Sequence, residues 1–185
     1  PQVALPIVFT SDIFDIRGNT ARGGGSIIDD GGNSITSQGL CWSTKPNPTT
    51  ANSTTDSFER AMDGLSPNTL YYVRAYAVNS SGTGYGNQVS FNSGFLIGSI
   101  YGGGIVFHND GKGHGLVCAP MDQSTGAEWG CYGTLIGETS PNINTGATNT
   151  AAILNKCPKE SLAAHICNDL ELNTYSDWYL PSKVE

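Results

Sequence analysis

The residue types that could do chemistry in this 185-residue sequence are concentrated in its second half. His108 and His114 flank the turn Asp110-Gly111-Lys112-Gly113 and could bind a metal ion together across it. A Gly-Lys step can also mark a phosphate-binding loop, but the first glycine of that motif and the Ser or Thr after the lysine are both missing. We therefore expect ordinary polar turn residues here, with no metal and no cofactor.

A second set of side chains could contact a carbohydrate. Carboxylate and amide groups can bond to neighbouring sugar hydroxyls, and an indole face can stack on a sugar ring. The competing interpretation is that the tryptophans fill the core and the polar groups tie down loops. Calcium needs a cluster of oxygen ligands, and the acids here are too dispersed to predict one. The candidate ligand-binding residues are Asp122, Gln123, Trp129, Asp177 and Trp178.

The sequence lacks the motifs of common catalytic sites. It contains no G-x-S-x-G around a nucleophilic serine, no H-E-x-x-H zinc motif and no pair of carboxylates at a telling spacing. We therefore predict a protein that is not an enzyme.

Five cysteines are spread over the chain, at Cys41, Cys118, Cys131, Cys157 and Cys167. None forms a C-x-x-C pair and histidine is scarce, so zinc is not predicted. Four of them follow residue 100, which favours two disulfides in a secreted domain, and three pairings are possible. We predict Cys131 with Cys157, which leaves Cys118 with Cys167, and buried free thiols are the alternative. Cys41 lies within an apolar strand and is expected to be a small core residue.

Short apolar runs alternate with turn residues over the first half of the chain. The turn clusters include Asp29–Asn33 and Lys45–Thr49. This spacing, without a helical period, predicts an all-β sandwich over residues 1–93. The predicted strands are Val3–Phe9, Ile13–Arg17, Ala21–Ile28, Ile35–Ser43, Ser57–Met62, Leu70–Asn79 and Gln88–Phe91.

The clearest strand of this first domain is Leu70–Asn79, which follows Leu65-Ser66-Pro67-Asn68-Thr69. Its apolar side chains alternate with its more polar ones, so one set should face the core. The residues expected on the core face are Tyr71, Val73, Ala75 and Ala77.

This L-x-P-x-T-x-Y pattern, followed by the glycine-rich turn Asn79–Gly84, resembles the fibronectin type III domain. The resemblance implies an immunoglobulin-like sandwich in which Tyr71 is the tyrosine-corner residue, its hydroxyl bonded to nearby main chain. The segment Gly39–Pro48 resembles a variant from secreted multidomain proteins of Bacteroidota. Such domains usually serve as spacers, and Trp42 is expected to pack between the sheets rather than bind sugar.

The second domain, residues 95–185, begins with a predicted hairpin. Its strands are the apolar runs Ile105–Phe107 and Leu116–Cys118, and the Asp-Gly step between them is a hairpin turn signal.

Two short helices are predicted in the remainder of this domain. The cluster Thr145–Thr150 can cap a helix over Ala151–Lys156, which Pro158 must end. Apolar residues recur every four positions across Glu160–Leu172, which predicts a second helix. His165 would point away from its apolar face, to the surface.

The chain ends on a helix-start signal. Ser182-Lys183-Val184-Glu185 fits the S-x-x-E capping box. Because a domain does not normally cap a helix that it never forms, we expect the second domain to be incomplete at its C-terminus.

Several motifs of residues 96–185 together resemble a known bacterial domain. They are GGGIVF, HGLV, AP-x-DQST-x-A-x-WGCYG and YSDWYLPSK-x-E. They resemble the domain named for the C-terminus of the Legionella collagen-like adhesin. The related Fibrobacter major-paralogous domains and the formylglycine-generating-enzyme-like proteins share W-x-LP-[ST]-x-x-E. The resemblance implies an α+β, C-type-lectin-like domain on a secreted or surface-attached protein.

These observations lead us to expect part of an extracellular or cell-surface bacterial adhesin. The β-sandwich would be a spacer and the lectin-like domain would bind glycan or another surface ligand. A structural repeat of a stalk or filament, and an accessory domain of a secreted enzyme, are the alternatives. The resemblance also implies the outer-membrane secretion machinery as a partner. The net charge of −7, without a Lys/Arg cluster or a long apolar run, argues against nucleic acid and membrane insertion.

Overall fold

The computed structural model describes residues 4–137 and 139–185. The chain forms two compact units. One contains the residues up to Ser99 together with Val106–Leu116, and the other contains Ile100–Ile105 together with Val117–Glu185. Residues 106–116 belong to the first unit through bonds such as that from Ile16 N–H to the Gly111 carbonyl, at 3.0 Å.

The first unit is built from short antiparallel strands in two sheets. Strands β1 and β2 form a two-stranded sheet, and the other sheet has the order β4-β3-β5-β6, with β7 also paired to β5. Two such sheets enclosing one apolar core make an immunoglobulin-like β-sandwich. The strands are β1 Ile7–Thr10, β2 Gly25–Asp29, β3 Ser37–Ser43, β4 Ser53–Thr54, β5 Leu70–Asn79, β6 Gly82–Tyr85 and β7 Val89–Asn92.

The central strand β5 has the bounds that the sequence predicts, and the four residues predicted to face the core are buried. They pack with Leu40 and Trp42 of β3, so Trp42 is a core residue. Tyr76 departs from the alternation because it is buried on the opposite face, where its hydroxyl donates to the Thr55 carbonyl at 2.8 Å. Cys41 is fully buried, as expected of a small core residue.

Tyr71 occupies a tyrosine corner. Its hydroxyl accepts a hydrogen bond from the backbone N–H of Ser66, five residues earlier, at 2.9 Å. Its ring stacks on Phe91 of β7 with 5.9 Å between the centroids. The side chain therefore joins the loop before β5 to the core, which is the arrangement implied by the fibronectin type III resemblance.

Two of the predicted strands are wrong. Ile13–Arg17 contributes only an isolated bridge, between Phe14 and Arg22, and Ser57–Met62 contributes only the bridge from Met62 to Ala21. β3 pairs with β5 on one side and on the other with β4, at Ser53–Thr54, a polar stretch without an apolar pattern. Apolar residues such as Met62 are buried here without belonging to a ladder, so the pattern marks burial and not strand pairing.

The predicted hairpin is present in a three-stranded sheet of order β10-β9-β8. Its strands are β9 Gly104–Asn109 and β10 Gly115–Cys118, and β8 Ile100–Tyr101 pairs antiparallel with β9. In the turn, the Asp110 carboxylate accepts hydrogen bonds from the N–H groups of Lys112 and His114.

Two helices follow in the second unit, with bounds that differ from the predicted ones. Helix α1 spans Gly146–Lys156 and so begins five residues earlier than expected. Helix α2 spans only Ala163–Asn168. The chain leaves the helix at Asp169 and reverses at residues 173 and 174, both with positive φ, so that Leu172 pairs with Tyr175.

A small apolar core holds the second unit together. It consists of Ile136, Ile153, Cys157, Leu162 and Ala164, with Leu180 packed against it. In the part of the chain that the structure describes, no helix is long and apolar enough to cross a membrane.

Candidate functional site

The second unit has a cleft of about 360 Å³ between the Trp129 loop, the start of α1 and the segment after Tyr179. Its lining combines an exposed indole, two prolines, aliphatic side chains and several hydroxyl or amide groups. The lining residues are Trp129, Thr139, Ser140, Pro141, Asn149, Ile153, Leu180, Pro181, Ser182 and Lys183.

Trp129 lies in a loop without regular structure but is fixed on both sides. Before it, the Glu128 carbonyl accepts the Ala163 N–H at 2.9 Å, and the Glu128 carboxylate pairs with Lys159 at 2.7 Å. After it, Cys131 forms the predicted disulfide with Cys157 at the end of α1. The indole itself remains 58% exposed. An aromatic ring held in water by anchored neighbours is available to stack on a ligand.

The opposite wall, Leu180–Lys183, is fixed to α1 and to the loop before it. Leu180 donates its N–H to Thr150 Oγ1 at 2.9 Å, and Ser182 Oγ donates to the Asn142 carbonyl at 2.8 Å. A segment without regular secondary structure needs such side-chain partners for its backbone groups.

Ser182 and Glu185 form the reciprocal bonds of a capping box. Ser182 N–H donates to Glu185 Oε2 at 2.7 Å, and Glu185 N–H donates to Ser182 Oγ at 3.3 Å. This is the geometry that the S-x-x-E pattern predicts. The carboxylate of this capping box also accepts a hydrogen bond at the start of α1, a helix that comes earlier in the chain.

The Glu185 carboxylate receives the N–H groups of Asn144 and Gly146 at 2.8 and 3.0 Å, and the Tyr179 hydroxyl at 3.3 Å. Partial burial acts to raise the pKa of Glu185, but these bonds and that from Ser182 outweigh it and hold the pKa below its ordinary value. The positive end of α1 favours the same anion. The negative charge of Glu185 is therefore compensated in place.

Tyr179 contacts both the Glu185 carboxylate and the start of α1. Burial, followed by the neighbouring Glu185 carboxylate, raises the pKa of Tyr179 to about 12, so the phenol stays protonated and donates. Its ring lies against Gly146, where an added Cβ would overlap the ring and the Glu185 carboxylate. The first residue of α1 therefore has to be glycine for this packing to form.

The floor of the cleft is formed by a buried asparagine, whose amide is fully hydrogen-bonded, and by an isoleucine. Asn149 is buried, accepts the Ser140 N–H at 2.9 Å and donates to the Ser140 carbonyl at 2.6 Å. Ile153 lies beneath, within the small core. Because both ends of the Asn149 amide are already bonded, that side chain shapes the cleft.

Only Trp129 of the predicted ligand-binding residues lines the cleft. Asp122 and Gln123 lie in an exposed loop, where the Gln123 amide donates to the Met121 carbonyl at 2.6 Å. Asp177 is exposed in the segment before the opposite wall.

The two tryptophans of the second unit have different surroundings. Trp178 is half-buried, donates its indole N–H to the Tyr175 carbonyl at 3.1 Å and packs on Gly104, where an added Cβ would lie 2.8 Å from the ring. Trp178 therefore has a packing role, in line with the alternative interpretation given above, whereas Trp129 is presented to solvent.

His114 has a partner within its own turn. His114 Nδ1 lies 2.9 Å from Asp110 Oδ2, so its partner is the turn carboxylate. Among the residues that the structure describes, no group of three His, Cys, Asp or Glu side chains could hold a metal ion. His165, expected at the surface, is half-buried and its Nε2 lies 3.1 Å from the Cys157 carbonyl.

The predicted second disulfide does not form. Cys118 is an exposed free thiol at the end of β10, and Cys167 is a half-buried free thiol in α2. The reason is positional: α2 packs on α1 and its apolar partners, which leaves Cys167 without a cysteine beside it. Burial raises the pKa of the Cys167 thiol.

Sequence reasoning missed the rest of the cleft. The aromatic segment drew attention to Asp177 and Trp178, yet the wall is formed by the residues immediately after them, Leu180–Lys183. The capping-box serine was the available signal, because a cap fixes the chain around it. The contribution of Ser140 and Asn149 depends on tertiary bonds that no local pattern encodes.

No family model matches this sequence, and no curated protein matches it. Among solved structures, the chain is similar to the sixth fibronectin type III domain of human fibronectin type III domain containing protein 3. The identity is 18% and the TM-score 0.43, over 55% of this chain and 97% of that one. A crystal structure of titin domains matches at 17% identity and TM-score 0.38, over 50% of this chain and 32% of that one.

A myokine structure matches at 17% identity and TM-score 0.35, over 49% of this chain and 96% of that one. The first unit is a sandwich by its own strand pairing, in which β1 pairs with β2 and the second sheet has the order β4-β3-β5-β6 with β7 on β5.

Proposed function

We propose that this chain is part of a secreted or cell-surface bacterial adhesin and that its second unit binds glycan in the Trp129 cleft. The observation that carries the proposal is the anchored but exposed indole of Trp129 facing a wall of hydroxyl and proline residues. Sugars bind by stacking one face on an aromatic ring while their hydroxyls bond to polar groups at the edge. The described part of the lining holds no histidine, cysteine or carboxylate, and its polar groups suit hydrogen bonding to sugar hydroxyls.

The proposal gives the first unit the role of a spacer. A sandwich fixed by a tyrosine corner and a continuous core is stiff, and it can hold a binding unit away from a surface. The motif resemblance to the Legionella adhesin domain supports a lectin-like second unit. The Gly39–Pro48 segment supports an origin in Bacteroidota and export by their outer-membrane secretion machinery.

A glycan array tests the proposal. The whole chain, its Trp129→Ala variant and its Tyr132→Ala variant are applied to immobilised saccharides. Tyr132 is the matched control because it is a fully exposed aromatic residue of the same loop that does not line the cleft. We expect the wild type and Tyr132→Ala to bind the same saccharides and Trp129→Ala to lose them. Absence of binding by the wild type would favour a structural repeat.

A further inference from the structure

We infer that the ligand of the Trp129 cleft is an acidic saccharide whose carboxylate pairs with Lys183. This inference rests on the proposed function and specifies its ligand class. Lys183 is the one ionisable side chain in the described lining of the cleft, and it is exposed. A lysine and a stacking ring in the lining of one cleft suit a sugar ring that carries a carboxylate, as uronic and sialic acids do.

Among the described residues, the two acids near Trp129 and Lys183 in sequence already have partners of their own. Glu128, next to Trp129, is paired with Lys159 at 2.7 Å. The Glu185 carboxylate accepts hydrogen bonds from backbone N–H groups, including that at the start of α1, and these stabilise its negative charge. In the described part of the chain no carboxylate forms a salt bridge with Lys183.

The position of Lys183 is fixed more firmly than its exposure suggests. Its neighbour Ser182 is buried and holds the backbone through bonds to Asn142 and Glu185. The Lys183 side chain therefore starts from a fixed backbone position in the lining of the cleft. In a protein of net charge −7, an anion would not be attracted without such a local cation.

The test uses matched pairs of ligands that differ only in charge. Short oligomers of galacturonate, glucuronate and sialate, and the methyl ester of each, are titrated calorimetrically into the whole chain. We expect at least one acid to bind about five-fold more tightly than its ester, the gain of one partly exposed ion pair. Lys183→Gln should remove that preference while keeping the binding of the ester, and Lys183→Arg should restore it. Trp129→Ala should weaken both forms.

Equal binding of acid and ester, or a preference that survives in Lys183→Gln, overturns the inference and leaves the proposed glycan site standing. Binding of neutral saccharides alone also overturns the inference and leaves the proposed glycan site standing. If no saccharide of either kind binds, the proposed function itself fails, and the inference with it.

Discussion

The Glu185 carboxylate accepts a hydrogen bond from the backbone N–H of Gly146, the first residue of α1, at 3.0 Å. The two residues are thirty-nine positions apart in sequence. Thr145 precedes the helix but makes no side-chain capping bond, so the carboxylate of Glu185 fulfils that function. Through Ser182 the same carboxylate fixes one wall of the cleft. The start of α1 and the cleft wall are thus parts of one network.

Glu185→Gln should loosen the start of α1. The variant loses the anion at the positive helix end and one acceptor oxygen, which together are worth about 1 kcal/mol. Hydrogen exchange measures this locally, and amides of the first turn of α1 should exchange about five-fold faster. Because the pKa of Glu185 is lowered in the fold, this stabilisation is present at neutral pH and is lost as the pH falls through the carboxyl range.

Glu171→Gln is the control for that experiment, since Glu171 is an exposed acid of the same unit. Equal acceleration in both variants would show that the Glu185 bonds do not hold α1.

The pKa of Asp110 is lowered from 3.8 to about 2. Its slight burial acts in the opposite direction and is outweighed by hydrogen bonds from the His114 side chain and from the N–H groups of Lys112 and His114. The stability that Asp110 provides should therefore be complete above about pH 4 and be lost as the pH falls towards about 2. Carboxyl NMR shifts recorded during an acid titration measure this pKa.

His114→Gln should raise the pKa of Asp110 part of the way towards its ordinary value, because the two backbone N–H bonds remain. An unchanged pKa in that variant would mean that the imidazole contributes nothing to the turn.

The cysteines should behave as one disulfide and three thiols. In the native protein, an alkylating reagent should label the exposed Cys118 first. It should label Cys41 only on unfolding, because burial raises the pKa of that thiol to about 11. Replacing Cys131 and Cys157 by serine should lower the free energy of unfolding of the second unit by about 3 to 4 kcal/mol, from the loss of loop closure.

Cys118→Ser is the matched control and should leave the stability unchanged. Mass spectrometry of the alkylated protein decides the count of thiols. Recovery of a Cys118–Cys167 peptide, or equal stability of the Cys131/Cys157 double variant, would contradict the structure.

Tyr71→Phe should destabilise the sandwich by about 1 kcal/mol, since the Ser66 N–H loses its acceptor while the core keeps the ring. Urea unfolding followed by the amide NMR signals of β5 reports on this unit. Tyr72 is the control, because its side chain lies on the other face of β5. Tyr72→Phe should change the free energy of unfolding little. Equal destabilisation by the two variants would argue against a special role for the corner.

The sequence predicted the elements that carry a clear local signal, such as an alternating strand or a turn motif. Strand β5 alternates along most of its length, with Tyr76 the exception, and the Asp-Gly turn defines the β9–β10 hairpin, so both could be recognised. β4 has two polar residues and no pattern, and its place depends on β3 alone. Helix α2 was overestimated because the four-residue apolar repeat continues to Leu170, beyond the last helical residue, Asn168.

The site was recognised only in part for a similar reason. Trp129 could be proposed from its residue type, and the bonds between Ser182 and Glu185 from their spacing. Two chemically equal tryptophans were candidates, and only their surroundings separate them: Trp178 covers Gly104 and Trp129 faces the cleft. Lys183 lies inside the same S-x-x-E pattern, but the pattern does not say that its side chain lines a cleft with Trp129.

The most direct test of the account is a calorimetric titration of one array-positive oligosaccharide into the wild type, Trp129→Ala and Tyr132→Ala. If Trp129 supplies the stacking face, its removal should raise the dissociation constant about tenfold or more, while Tyr132→Ala binds as the wild type does. A dissociation constant unchanged in Trp129→Ala would contradict the account, because the cleft would then not be where the glycan binds.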